Sequence, residues 1–160
     1  MGREIADEQL KEGSMAPDFG FPDLNDEIMK LSDLRGKKRV VIYFYPKDFT
    51  PGCTNEAMEF TRDYGKFKDA SIEIIGVSPD TEESHKSFRH EIKIPYLLAS
   101  DIHNEISKKY GVYGLKKFMG KEFMGVSRST FLIDKNGLVV KIFSKVKPLG
   151  HSQEVIEAFN

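Results

Sequence analysis

The sequence predicts an α/β fold in which a mixed β-sheet lies between helices on both of its faces. Three observations predict it. Val40-Val-Ile-Tyr-Phe-Tyr45 and Ile72-Glu-Ile-Ile-Gly-Val77 are short apolar runs rich in β-branched and aromatic residues, the signature of strands covered on both sides. A helical pattern follows each run. Further on, Asp134-Lys-Asn-Gly137 joins two more apolar runs, and its Asn-Gly pair marks a β-hairpin.

The elements follow in order. Residues 1–12 are polar and read as a mobile lead-in to a single domain spanning 1–160. Gly13-Ser-Met-Ala-Pro-Asp-Phe19 is extended, because Pro17 disfavours a helix. After the first strand, Ala57, Phe60, Tyr64 and Phe67 recur at helical spacing. Asp80 with Glu83 resembles a capping box for the next helix, whose core side carries Phe88 and Ile92. Tyr96-Leu-Leu-Ala99 is a third short strand. Asp101 caps a helix bearing Ile102, Ile106 and Tyr110, and Gly111 stops it. Thr130–Ile133 and Leu138–Phe143 form the hairpin arms, and Ser152 caps a last helix with Val155, Ile156 and Phe159.

Composition narrows the function. Hydrophobic residues at 39% and charged residues at 31% describe a soluble globular chain. A net charge of -1 gives no general pull toward nucleic acid or an anionic membrane, and the basic Arg35-Gly-Lys-Lys-Arg39 reads as a solvated turn. No segment approaches the roughly 20 apolar residues of a membrane span. The acidic, polar N-terminus is unlike a signal peptide. The expected partners therefore include neither nucleic acid nor membrane, and the expected compartment is the cytoplasm. His85, His90, His103 and His151 lack metal-ligand spacing, so no metal and no cofactor is expected.

The chain has one cysteine, Cys53, which precludes an internal disulfide. It ends Tyr45-Pro-Lys-Asp-Phe-Thr-Pro-Gly-Cys53, where a buried strand runs into a turn and a helix begins. Free backbone N–H groups at a helix start favour a thiolate. Holding a thiol nine-tenths ionised at neutral pH takes roughly 3.4 kcal/mol, and a helix terminus supplies at most ~2. A cation is wanted, and Arg128 is the candidate. Ionisation alone gains little, because nucleophilicity falls as a thiolate becomes more stable. Groups that hold the transition state are needed as well; Thr50, the Cys53 N–H and Arg128 are of the right kind. The opposing reading is a small buried hydrophobe.

Pro46-x-x-x-Thr50-x-x-Cys53 resembles the active-site motif of the peroxiredoxins, and Thr50-Pro-Gly-Cys-Thr-x-Glu56 resembles their bacterioferritin-comigratory-protein, or peroxiredoxin Q, branch. Ala16-Pro-Asp-Phe19, Gly76-Val-Ser-Pro-Asp80, Tyr110-Gly-Val112 and Arg128-Ser-Thr-Phe-Leu-Ile-Asp134 agree in order and spacing over residues 13–159. The resemblance implies a thioredoxin-like three-layer sandwich and a thiol-dependent reduction of hydrogen peroxide or organic hydroperoxides. It implies that Cys53 is the peroxidatic cysteine, that Thr50 hydrogen-bonds the peroxide or thiolate and that Pro46 shields the sulfenic acid. It also places Arg128 against Cys53. Glu56 either orients this polar network or is a surface carboxylate in a first helical turn.

Many members of that branch carry a resolving cysteine five positions after the peroxidatic one; Met58 stands there. The resemblance is therefore to a one-cysteine enzyme. Its sulfenic acid meets an external thiol (thioredoxin, glutaredoxin or a small thiol) or a second Cys53, and the chain is a monomer or weak homodimer. The alternative is a non-enzymatic redox sensor, or holdase-like binding protein, switched by Cys53 oxidation. Phe118-Met119 and Phe123-Met124, just before Arg128, fit ordinary core, an apolar rim for bulkier hydroperoxides or a docking face, with core or rim favoured.

Overall fold

A computed structural model of the chain describes residues 10–159. Five strands make the central sheet: β3 (Arg39–Phe44), β4 (Ile72–Ser78), β5 (Leu97–Ser100), β8 (Ser129–Ile133) and β9 (Val139–Phe143). Their order is β5-β4-β3-β8-β9. β3, β4 and β5 are parallel, whereas β8 runs antiparallel to β3 and β9 antiparallel to β8, so the sheet is mixed. α1 (Pro51–Asp69) crosses from β3 to β4 and α2 (Glu82–Ile92) from β4 to β5. Two crossovers of the same hand stepping the same way lay both helices on one face.

Alternation along β3 divides the core. Val41, Tyr43 and Tyr45 pack with Ala57, Phe60 and Phe67 of α1, Phe88 of α2 and Val155 of α4 (His151–Ala158). Val40, Ile42 and Phe44 pack on the opposite face with Ile106 of the short α3 (Glu105–Lys109), Tyr110, and the N-terminal Phe19, Phe21, Leu31 and Leu34. The second layer is thus mostly strand and loop: a small hairpin of β1 (Gly20–Pro22) and β2 (Ile28–Lys30), a 3-10 turn at Leu31–Leu34, and α3.

Gly76 allows the first layer to close. A Cβ there would lie 2.9 Å from Tyr43 Cζ and 3.0 Å from Leu98 Cδ2. Tyr43 is fully buried and its hydroxyl pairs with that of Tyr96 at 2.6 Å, so it has no room to retreat. Gly76→Ala should therefore lower stability by about 1–3 kcal/mol, read as a reduced urea midpoint.

Several boundaries differ from expectation. The N-cap of α2 is Thr81, whose Oγ1 accepts from Ser84 N–H at 3.0 Å. Asp80 turns inward instead and accepts from Asp48 N–H. The Asp101 carboxylate does accept from Ile106 and Ser107 N–H, but α3 opens only at Glu105, leaving Ile102 exposed. Ser152 lies inside α4 and donates to Asp63, while Gly150 is the N-cap. The expected mobile lead-in falls mainly on residues 1–9, outside the described residues. Leu10 packs on the core, and Glu12 accepts from Ile142 N–H at 3.1 Å.

The largest difference is a hairpin of β6 (Tyr113–Phe118) and β7 (Lys121–Val126). Val126 and Tyr113 at its base join the core, but core packing is ruled out for the apolar residues beyond them: Phe118 is 67% and Met119 85% exposed, and Leu115, Phe123 and Met124 are also exposed. Met119 and Gly120 both have positive φ, as a two-residue hairpin turn requires. Met-Gly is not among the pairs that announce such a turn, so the arm is invisible in the sequence.

Candidate active site

β3 delivers the chain to a loop, Pro46–Thr50, and the loop delivers it to α1. Thr50 is the extended N-cap residue and Pro51 opens the helix with its φ already set. The first turn closes where Thr54 N–H reaches Thr50 O at 2.8 Å. Gly52 and Cys53 precede that bond, so their N–H groups lie among the unpaired donors of a helix start. Cys53 turns into the core beside Tyr43, Tyr45 and Ala57, and is only 1% exposed.

Cys53 and Glu56, three residues apart, share one helix face. Arg128, between β7 and β8, bridges them: one guanidinium nitrogen donates to Cys53 Sγ at 3.1 Å, the other to Glu56 Oε1 at 2.6 Å. Gly52 makes room for this, since a Cβ there would stand 3.3 Å from the Arg128 guanidinium and 3.4 Å from Pro148. Arg128 O accepts from Val146 N–H at 3.0 Å, which ties the loop after β9 to the site.

Burial weakens the hold of Arg128 on its own proton, but Glu56 and Cys53 more than offset it, so the guanidinium stays charged. For Glu56 burial wins, and its carboxyl is pushed up to about 7 against the pull of Arg128. Among the described residues Glu56 Oε2 is buried with no partner. A carboxyl raised on folding binds more protons folded than unfolded. Stability should therefore fall as pH rises from about 4.5 to about 7 and lose no more to this group beyond. Glu56→Gln should flatten that stretch of the stability–pH curve in denaturant titrations.

The structure brings Cys53, Arg128 and Glu56 into contact, and Glu56 is not the surface carboxylate its alternative described. Thr50 stands at the helix entrance. Its hydroxyl donates to Lys47 O at 2.8 Å, which spends its only proton and leaves its lone pairs as acceptors. Pro46 is partly buried at the start of the loop. Sequence reasoning missed what anchors this loop. Asp48 is buried and accepts from Tyr45 Oη at 2.7 Å, Ser84 Oγ at 2.8 Å and His85 Nδ1 at 2.8 Å. Its position two residues before Thr50 is the only available cue; His85 carries none without metal-ligand spacing.

Residues 13–142 match the AhpC/TSA family. The chain belongs to this peroxiredoxin family. Peroxiredoxin Bcp of Bacillus subtilis (strain 168) is 45% identical over 145 residues, which cover 91% of this chain and 92% of that protein. Peroxiredoxin Bcp of Escherichia coli (strain K12) is 37% identical, covering 92% of this chain and 94% of that one. A Xylella fastidiosa PrxQ mutant superposes with a TM-score of 0.87 at 30% identity, over 94% of this chain and 96% of its own. The Xanthomonas campestris bacterioferritin comigratory protein, described for alkyl peroxide reduction, superposes at 0.81 with 34% identity, covering 88% of each chain.

The fold is the thioredoxin-like peroxiredoxin fold, and the protein is a peroxiredoxin of the Bcp/PrxQ type. It is a thiol-dependent peroxidase that takes a hydroperoxide and a thiol reductant, and its single cysteine fits a one-cysteine mechanism. Among the described residues no helix is long and apolar enough to cross a membrane.

Proposed function

We propose that Cys53 is the peroxidatic cysteine and Arg128 the group that holds both its thiolate and the departing oxygen. The contact between Arg128 and Cys53 Sγ at a helix start carries this reading. The thiolate attacks the terminal oxygen of the hydroperoxide. An S–O bond forms, the O–O bond breaks, and the alkoxide or hydroxide leaves and takes up a proton. Negative charge moves from sulfur to the leaving oxygen, and a cation between them stabilises both ends of that transfer. Thr50 accepts the hydrogen bond of the peroxide O–H, Pro46 covers the sulfenic acid and Glu56 holds Arg128 in place.

Resolution belongs to an external thiol. It attacks the sulfenic acid, forms a mixed disulfide and releases water; a second thiol frees Cys53. Without a resolving cysteine the sulfenic acid is open to the sulfinic and sulfonic steps. One domain, a monomeric or weakly dimeric state and the cytoplasm complete the reading, in keeping with a lone cysteine that makes no internal disulfide.

The test is intact mass after stoichiometric hydrogen peroxide, quenched over milliseconds to seconds with a sulfenic-acid trap. Rapid adduct formation on Cys53 is expected. A thiol still free after minutes would sink the assignment.

A further inference from the structure

We infer that Asp48 and His85 are positioning residues for the peroxide step, acting through the peptide that joins Lys47 to Asp48. The inference rests on the reading of Cys53 and Thr50 just given. Both sides of that peptide are pinned: its carbonyl, Lys47 O, accepts from the Thr50 hydroxyl at 2.8 Å, and its N–H, on Asp48, donates to Asp80 Oδ2 at 2.8 Å. Asp80 Oδ2 also accepts from Ser78 Oγ at 2.6 Å. The plane of one peptide therefore decides where the Thr50 proton points, and hence which lone pairs of Thr50 are left to accept from the peroxide.

The Asp48 side chain holds that plane from behind. It lies in the core, where its oxygens take the Tyr45, Ser84 and His85 donors. His85 is also buried, and its Nε2 lies 3.1 Å from Ala99 O at the end of β5. The ring spans the gap between the Asp48 carboxylate and the Ala99 carbonyl, one nitrogen facing each. His85 thus ties the loop to the sheet through a second strand, and Ser84 ties it to the first turn of α2.

The loop needs such a tie. Phe49 is held at φ 67, a conformation that bulky side chains resist, while its ring packs against Phe88 at 5.1 Å. A strained residue between Asp48 and Thr50 persists only where both flanks are fixed. Released from Asp48, the loop would relax toward negative φ and carry Thr50 off its bearing. The sulfur would be spared, because Arg128 and the helix start reach it from elsewhere.

The experiment separates those two effects. His85→Leu should slow oxidation of Cys53 by hydrogen peroxide about 10-fold or more, whereas alkylation by iodoacetamide, which makes no use of Thr50, should change by less than about 3-fold. His85→Gln, which keeps an N–H donor, should recover part of the loss. Thr50→Val combined with His85→Leu should be no slower than Thr50→Val alone, since both act through one hydroxyl. If His85→Leu does not fold, Ser84→Ala removes one Asp48 donor from a partly exposed position and should show the same selectivity at a few-fold scale. Parallel losses in the two reactions, additive losses in the double variant or an unchanged peroxide rate would overturn the inference. A wild-type Cys53 that ignores peroxide would instead overturn the reading beneath it, before any variant is compared.

Discussion

Cys53→Ser should reduce thiol-dependent peroxide consumption by about 10⁴-fold or more, to the uncatalysed background. The serine oxygen would sit in the same pocket and face the same guanidinium, yet a hydroxyl is scarcely ionised at neutral pH and forms no sulfenic acid. Everything else about the site would persist, so binding without chemistry would be the outcome. Peroxide consumption in the presence of dithiothreitol measures it. Turnover that survived in the variant would mean that this lone thiol is structural.

Arg128→Ala should slow the peroxide step by about 10²–10³-fold, because it removes the donor to Cys53 Sγ, which on the proposed reading also faces the charge developing in the transition state. The loss should exceed what the thiolate fraction explains, which a parallel iodoacetamide rate would reveal. The variant also strands Glu56, a buried carboxyl that would keep no partner among the described residues. Breaking a buried pair from one side costs about 3–5 kcal/mol when the remaining group stays charged. Glu56 escapes most of that by taking a proton, so the variant should be markedly less stable above neutral pH than below it. Arg128→Lys should recover only part of the rate, since one ammonium cannot serve sulfur and carboxylate in the forked geometry seen here. Stopped-flow oxidation of Cys53 across the three proteins tests this; equal rates in wild type and alanine variant would remove Arg128 from the chemistry.

The buried strands and the helix after Cys53 were legible because they are determined by local pattern. β3 and β4 are covered on both faces and therefore read as nearly continuous apolar runs, broken in β4 only by Glu73 and Gly76, and α1 repeats Ala57, Phe60 and Phe67 on its inner side. The Pro46-x-x-x-Thr50-x-x-Cys53 spacing was legible for the same reason, since the three residues are neighbours in the chain. Arg128 lies 75 residues from Cys53 and became a candidate through the demand for a cation and through resemblance. What escaped notice depends on distant partners. Asp48 looks like a loop carboxylate and His85 like a helix-surface histidine until α2 folds one onto the other. Asp80 and Ser152 carry the chemistry of helix caps, but each found a stronger partner inside the fold, Asp48 N–H for the first and Asp63 for the second. The β6–β7 arm escaped because its apolar residues lie on both faces and at the tip, so no alternation marks it.

The near-complete enclosure of the Cys53 sulfur bears on how the reductant is selected. A macromolecular thiol cannot approach a sulfur seated under its own helix; the first turn of α1 has to fray before two proteins can share a disulfide. A small thiol should need a smaller opening. Plotted against reductant concentration, recovery of the oxidised enzyme should climb linearly with a small thiol and level off with a protein one, at the opening rate of a single helical turn. The height of that plateau would be a property of this chain alone, the same whichever protein supplied the electrons.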